Sequence, residues 1–216
     1  MKELFVRTEN FLMDCLKESP HFQNNPNEYA YRLEHSYRVA NIGKKIAQQE
    51  GFDVPAMVVA CLLHDVSYGE SMETNEQWRN HGRRAAVISR PFVASLGFDQ
   101  NTIENICYGI AIHVDDEADF KGERTPFALT VGDADILDCF DVYRIYEHLQ
   151  YIGFDKLSLE EKKEKTQSII TNLYEHQKER LATETGTRLW QERIAFRLAF
   201  FESLQGQLNA SFEIIE

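Results

Sequence analysis

Six side chains that can bind a metal ion lie on the apolar faces of five separate predicted helices. They are His35, His64, Asp65, His81, His113 and Asp135. A buried histidine or aspartate destabilises a fold unless it is paired or bound to an ion. Six such groups along one run of helices therefore predict that the folded interior holds a shared cation.

The ligand types indicate which ions such a site would take. Imidazole and carboxylate together suit iron, manganese, zinc, nickel or cobalt better than calcium. Six protein ligands are more than one ion usually takes from a protein, and they are a suitable number for two ions. His64 and Asp65 are adjacent and cannot share one helix face, but they converge if the helix end lies between two ions or if Asp65 bridges them. We expect one or two divalent ions, with magnesium as a further candidate.

The elements that must position these residues are helical. Apolar residues recur with the period of a helix in almost every segment, and almost none alternates as a strand does. We expect a polar loop at 20–26 and one helix from Thr74 to about Arg90. A long charged helix is expected from Ser158, ended where Gly186 breaks it. The predicted fold class is all-α, a single helical bundle with a C-terminal helical extension.

Composition excludes several classes of function. The chain has 216 residues, of which 43% are hydrophobic, which is enough for a single core. Its net charge of −12 argues against binding a nucleic-acid polymer or an anionic membrane. The sequence contains no run of about 18 apolar residues, so no membrane-spanning helix is predicted. The four cysteines are far apart in the sequence and are expected to be reduced thiols of a cytoplasmic protein.

The order of these ligands resembles a known family. His35 lies in EHSYRVA, His64 and Asp65 in CLLHDVS, and Asp135 in GDADILD. This series is similar to that of the HD-domain superfamily of metal-dependent phosphohydrolases, over residues from about 28 to about 140. The family pattern favours Asp135 over Asp133 as the last ligand. The resemblance implies a bundle of the HD-domain type.

The two remaining histidines and one arginine extend the resemblance. His81 and His113 resemble the extra ligands of binuclear HD proteins, which include nucleotide phosphohydrolases and HD-fold di-iron oxygenases. Arg32 resembles the arginine that binds substrate phosphate in HD nucleotide triphosphohydrolases. Val114 and Asp115 follow His113 where the cyclic-dinucleotide phosphodiesterases carry their own motif, which argues against that substrate.

The resemblance implies a reaction. We expect hydrolysis of a phosphate ester or anhydride of a small molecule, foremost a nucleotide, by a hydroxide that the metal ions activate. Asp65 would bridge the ions. Further residues are candidates for two roles. Those for binding substrate phosphate are Arg32, Arg83 and Arg84, and those for protonating the leaving group are Glu34, Asp115 and Asp116.

Two other functions stay open on the same ligands: a di-iron oxygenase acting on a small organic substrate, and a nucleotide sensor without catalysis. We expect an N-terminal helix and loop at 1–27, a metal-binding core at 28–150, and a C-terminal extension at 151–216 of the same domain. The apolar stripe from Trp190 to Phe201 is expected to pack on the bundle. If exposed, it would be a homodimer contact.

Overall fold

The computed structural model describes residues 2–70, 72, 74–115 and 121–212. Within them the fold is all-α and contains no strand, as predicted. The helices are α1 (Lys2–Lys17), α2 (Pro20–Asn24), α3 (Pro26–Glu50), α4 (Val54–Leu63), α5 (Asn75–Arg79), α6 (His81–Ala94), α7 (Gln100–Ile112), α8 (Pro126–Cys139), α9 (Val142–Tyr151), α10 (Leu159–His176) and α11 (Glu184–Asn209). None of the described helices has the length and apolarity that crossing a membrane requires.

Helix α4 is the centre of the part of the fold that carries the candidate ligands. Every residue from 56 to 63 is buried, and the helix packs against α1, α3 and α7. Its start is defined locally, because the Asp53 side chain accepts a hydrogen bond from the Ala56 backbone N–H at 2.9 Å. Its apolar surface on all sides explains why it is covered on all sides.

Helices α6, α7 and α8 meet at unusually close range. A β-carbon placed on Gly82 of α6 would lie 2.9 Å from the backbone oxygens of Ile110 and Ala111 in α7. A β-carbon on Gly109 of α7 would lie 2.8 Å from a methyl group of Val131 in α8. These glycines let the backbones approach where no side chain would fit.

Three sequence-based expectations about the helices were wrong. Residues 20–24 form the short helix α2 rather than a loop. The predicted helix from Thr74 is two helices, separated at Asn80, and the second continues through Pro91. Pro91 has no N–H to donate to the Val87 carbonyl one turn earlier, and Val87 is half exposed, so the missing bond falls on the solvent side of the helix.

The third error concerns Gly186. The helix that begins after Ser158 already ends at His176, and Gly186 lies in the first turn of α11 rather than breaking a helix. The Thr183 side chain accepts a hydrogen bond from the Gly186 backbone N–H at 2.9 Å. This N-cap starts α11 and outweighs the low helix propensity of glycine.

The chain divides into two compact units, one ending at Asp138 and the other beginning at Cys139. This division lies within the 28–150 segment expected as the core, because α9 makes its contacts with α11 in the second unit. In that unit Trp190 and Phe201 are fully buried, and the Trp190 indole donates a hydrogen bond to the His176 carbonyl at 3.0 Å. Phe196 of the same stripe is 50% exposed, so the stripe is buried only in part. The predicted domain limits and homodimer stay predictions.

Candidate metal centre

All six predicted ligands converge in the first unit, although they come from separate elements. His35 lies in α3, His81 is the first residue of α6, and Asp135 lies in α8. His64 and His113 directly follow the last residues of α4 and α7. Asp65 comes next, immediately before a 3-10 turn at 66–69. Four of the six residues therefore lie at a helix end or directly beside one.

The Nδ1 atom of each of the four histidines is already hydrogen-bonded away from the centre. The Nδ1 of His35 lies 2.8 Å from a carboxylate oxygen of Asp138. In the other three, Nδ1 donates to the carbonyl of the residue three positions earlier. These pairs are His64 with Cys61 (2.7 Å), His81 with Trp78 (2.6 Å) and His113 with Ile110 (2.7 Å). Because a carbonyl only accepts, Nδ1 carries the proton, and each neutral ring presents the Nε2 lone pair to the centre.

These Nε2 atoms face one another in two pairs. The Nε2 atoms of His35 and His64 are 3.2 Å apart, and those of His81 and His113 are 3.0 Å apart. Two lone pairs at this distance repel unless a proton or a cation lies between them. Ligands that each lie about 2.0–2.2 Å from one ion are roughly 3–3.6 Å from one another. The donor set therefore fits bound metal ions.

The two carboxylate oxygens of Asp65 point to different histidine pairs. Its Oδ1 lies 3.2 Å from Nε2 of His81 and 3.5 Å from Nε2 of His113. We call these two histidines with Asp65 Oδ1 group B.

On its other side, Asp65 Oδ2 lies 3.5 Å from Nε2 of His64 and 3.6 Å from Nε2 of His35. Asp135 completes this second set, with Oδ1 at 3.2 Å from Nε2 of His35. Ligand atoms of His35, His64 and Asp135 all lie within 4.8 Å of one another. We call these three residues with Asp65 Oδ2 group A. One carboxylate facing two ligand groups is the arrangement that a bridging aspartate requires.

Burial and charge shift the pKa values of the cluster in opposite directions. Burial lowers the pKa of His64 to about 4. Burial also acts to lower the pKa of His35, but hydrogen bonds to Asp135 and Asp138 outweigh it and raise that pKa to about 9. Burial favours a higher pKa for Asp65, yet the imidazoles of His64, His113 and His81 that surround the carboxylate hold it well below its usual value. Without a metal, a proton on His35 can separate the facing Nε2 atoms.

These shifts predict how the stability of the metal-free protein depends on pH. Between pH 6.5 and 4 the unfolded chain binds a proton at His64 that the folded chain excludes, so acidification lowers the free energy of unfolding. His35 is protonated in both states below pH 6.5, and its contribution is lost as pH rises towards 9. We expect maximum stability near pH 6.5, measured as urea midpoints of chelator-treated protein. His64→Gln should flatten the acid side, and a wild-type midpoint constant from pH 4 to 6.5 would contradict this.

Of the predicted phosphate-binding residues, Arg32 lies at the cluster. Its Nη1 donates to Asp65 Oδ2 at 3.0 Å, and its guanidinium lies 3.5 Å from the centre of the Tyr68 ring. Arg83 is paired with Asp115 at 3.1 Å. Arg84 makes a two-point ion pair with a glutamate, Glu70. These two arginines are thus held by carboxylates, and their binding role stays a prediction.

The two predicted proton donors among the described residues, Glu34 and Asp115, lie beside arginines. The Glu34 side chain is 60% exposed and its nearest ion-pair partner is Arg38, at 4.0 Å. Asp115 is engaged by Arg83. Asp116 lies outside the described residues. Asp135, preferred to Asp133 on the family pattern, is the one in ion-pair range of His35.

Sequence reasoning missed Asp138, Arg38 and Tyr68. Asp138 and Arg38 lie three positions after Asp135 and His35, and residues at that spacing are neighbours on a helix surface. That spacing was the available signal. Tyr68 follows Asp65 in the 3-10 turn, and its ring contacts both Arg32 and His81. No periodic pattern in so short a turn identifies it.

Two clefts lie beside the ligands. The larger, about 540 Å³, has His81 in its wall together with polar residues that include Thr74, Gln77 and Asn80. The smaller, about 160 Å³, includes Arg32 and the rings of Tyr68 and Trp78, and it shares Glu70 and Met72 with the larger cleft. The larger cleft thus borders a predicted metal ligand, and the smaller cleft borders the arginine.

Comparison with known proteins agrees with this geometry. The chain has a fold similar to the crystal structure of a predicted HD superfamily hydrolase from an uncultured Thermotogales bacterium. The TM-score is 0.63 and the identity 17%, over 96% of this chain and 92% of that one. No curated protein sequence matches the chain. The family model of the HD domain matches residues 32–139, half of the chain, and these residues contain all six converging groups. The chain therefore belongs to the HD-domain family.

Proposed function

We propose that this protein is a metal-dependent phosphohydrolase that cleaves a phosphate ester or anhydride of a small molecule, foremost a nucleotide. One observation carries the proposal: groups A and B turn their Nε2 and carboxylate atoms towards shared centres, and Asp65 belongs to both. Two ions held in this way are suited to the two oxygens that exchange in a phosphoryl displacement.

The ions would supply Lewis acidity and lower the pKa of a bound water, and the protein residues do the rest. The Nδ1 hydrogen bonds hold the four imidazoles in one tautomer and one orientation. The buried walls of α4 and α7 keep bulk water from the ligand atoms, since His64 is fully buried and the His113 side chain is 1% exposed. Ordering the donors in advance avoids reorganisation during the reaction.

Arg32 is the residue best placed to bind the substrate phosphate. Its side chain is 22% exposed, so the guanidinium reaches both the ligand cluster and the smaller cleft. A planar guanidinium donates two parallel hydrogen bonds to phosphate oxygens, and its stacking on Tyr68 fixes its plane.

Arg32→Lys tests whether residue 32 acts through its positive charge alone or also through the planar shape of the guanidinium. Lysine keeps the positive charge but loses the planar fork and the contact with Tyr68, so we expect kcat/KM to fall about 10- to 100-fold, mostly through KM. Steady-state phosphate release measures this. Arg90→Lys is the matched control, because Arg90 also makes a two-point pair, with Glu104 at 2.7 Å. Equal kinetics for Arg32→Lys and the wild type would remove Arg32 from the site.

The clefts support a nucleotide as the substrate. The larger cleft is within the range of about 300–1,000 Å³ that small-molecule sites occupy. The Tyr68 and Trp78 rings, with centres 5.3 Å apart, offer an aromatic wall beside Arg32. Bases stack on such side chains with roughly 1–3 kcal/mol per base. Amide side chains in the larger cleft, Gln77 and Asn80, can both donate to and accept from ring edges.

The test is phosphate release by chelator-treated protein after reloading with Mn²⁺, Co²⁺, Fe²⁺, Zn²⁺, Ni²⁺ or Mg²⁺. The substrates are nucleoside mono-, di- and triphosphates, sugar phosphates and p-nitrophenyl phosphate. We expect release that requires at least one of these ions and is highest with nucleotides. The same samples are analysed for metal content and, with iron, in an oxygen electrode.

Two outcomes would replace the proposal. Iron-loaded protein that consumes oxygen with an organic substrate and releases no phosphate would be an oxygenase on the same ligands. Loaded protein that binds nucleotides without turnover of any substrate would be a sensor.

A further inference from the structure

The four histidines of the site differ in what holds their Nδ1 atoms. In His64, His81 and His113 the partner is the neutral backbone carbonyl of the residue three positions earlier. In His35 the partner is the carboxylate of Asp138, which comes from α8. Group A thus contains a histidine with an anionic partner, whereas both histidines of group B have neutral ones.

Asp138 lies behind His35 rather than among the ligand atoms. It is 1% exposed, and its Oδ2 faces Nδ1 of His35, the ring atom that points away from the centre. Arg38 holds the same carboxylate at two points, with Nε at 2.6 Å from Oδ1 and Nη2 at 3.2 Å from Oδ2. A buried carboxylate with these partners is charged and fixed in place.

An anionic acceptor on Nδ1 makes the opposite nitrogen of an imidazole a stronger donor to a metal, and it restricts rotation of the ring. A carbonyl does the same more weakly, because it carries only a partial charge. The ligand count acts in the same direction. Within the described part of the chain, group A has two carboxylates, Asp135 and Oδ2 of Asp65, and group B has the other oxygen of Asp65 alone.

We propose that the two metal positions are unequal, with group A the tighter, and that Asp138 is the positioning residue that makes it so by holding His35. Arg38 supports it by holding Asp138. This inference rests on the proposed function only in assuming that metal ions bind at groups A and B. It predicts that ions enter in order, group A first, and that the ion at group B exchanges more readily.

The same contacts could instead have a purely structural role, a tie that links α3 to α8, since Arg38 and His35 are in one helix and Asp138 is in the other. Such a tie would make the protein more stable without favouring either metal position. The two roles differ in a measurable way. A positioning role changes the ratio of the two affinities, and a tie changes only the unfolding temperature.

In the experiment, the metal-free full-length protein is titrated with Co²⁺, and binding is measured by calorimetry and by visible absorption. The absorption spectrum reports the ligands of each bound ion. We expect two separated phases in the wild type. Asp138→Asn keeps the shape and one acceptor oxygen but removes the charge. It should weaken the tighter phase about 10- to 100-fold, with the weaker phase unchanged within about threefold. Restoring the charge with Asp138→Glu should recover part of the loss.

Glu104→Gln is the matched control, because it removes a carboxylate from a two-point pair with an arginine in the same unit, Arg90. It should leave both phases unchanged. If Asp138→Asn does not fold, Arg38→Gln serves instead, since it frees the carboxylate without touching His35, and a smaller loss confined to the tighter phase is then expected.

The inference is overturned if Asp138→Asn binds Co²⁺ as the wild type does, or if both phases weaken equally. Protein that binds no Co²⁺ in either position would overturn the inference and the proposed function together. Two unequal phases without phosphate release from any substrate would support the inference and overturn only the proposed function. The titration contains no substrate, so the two failures are told apart.

Discussion

Asp65→Ala is expected to abolish phosphate release and to remove at least one metal ion per protein. Among the residues that the structure describes, Asp65 alone has atoms in both ligand groups, because Oδ1 faces His81 and Oδ2 faces His64. Its loss leaves each group one ligand short and also takes away the partner of Arg32. We expect kcat to fall by more than about 10³-fold, since a metal-dependent reaction loses both its activated water and its charge neutralisation.

Metal analysis after dialysis and phosphate release measure this expectation on the same sample. Asp14→Ala is the matched control, because Asp14 is an exposed aspartate of α1. His64→Ala should behave like Asp65→Ala, with His148→Ala, at an exposed position, as its control. Wild-type turnover in Asp65→Ala or His64→Ala would refute the mechanism, whatever the metal content.

Gly82→Ala is expected to disrupt group B by changing the packing of the α6 and α7 backbones, without replacing any of the ligands. The added methyl group would lie 2.9 Å from the backbone oxygens of Ile110 and Ala111 and from Nδ1 of His113. Backbone atoms inside a packed helix pair cannot move aside as a flexible side chain can, so α6 and α7 must separate. Overpacking of this kind costs about 1–3 kcal/mol, which outweighs the gain of roughly 1 kcal/mol from replacing a helical glycine.

The separation should move His81 away from His113, whose Nε2 atoms are 3.0 Å apart. We therefore expect loss of the second bound ion with the first retained, together with a lower urea midpoint. Gly206→Ala is the control, because nothing lies within 4 Å of the added methyl group, and it should be neutral or stabilising. Two wild-type binding phases in Gly82→Ala would show that α6 and α7 tolerate the methyl group.

Several helix boundaries could be predicted because their signals are local. Aspartate before an apolar helical segment predicts a helix start, and the Asp53 and Asp99 side chains both accept a hydrogen bond from the first turn of the helix that follows. Glycine after such a segment predicts a helix stop, and Gly51 has φ of +74°. The errors arose where competing local signals had to be weighed. Proline and glycine normally end helices, but α6 continues through Pro91 beside the half-exposed Val87, and the Thr183 cap places Gly186 inside the first turn of α11.

The identity of the converging residues could also be predicted, because burial of a polar side chain follows from its place on an apolar helix face. His35, His64 and Asp135 were selected in this way, and they meet within 4.8 Å. Their assignment as ligands remains a prediction, supported by the facing Nε2 atoms and by membership in the HD-domain family.

Sequence alone was sufficient for the all-α class, the family and the set of inward-facing donors, because each depends on neighbours a few positions apart. It was not sufficient for the division of Asp65 between two groups, or for the links to Asp138 from His35 across 103 positions and from Arg38 across 100. Those depend on how distant helices pack, at separations where a shift of about one ångström breaks a hydrogen bond. No short-range pattern encodes such a distance.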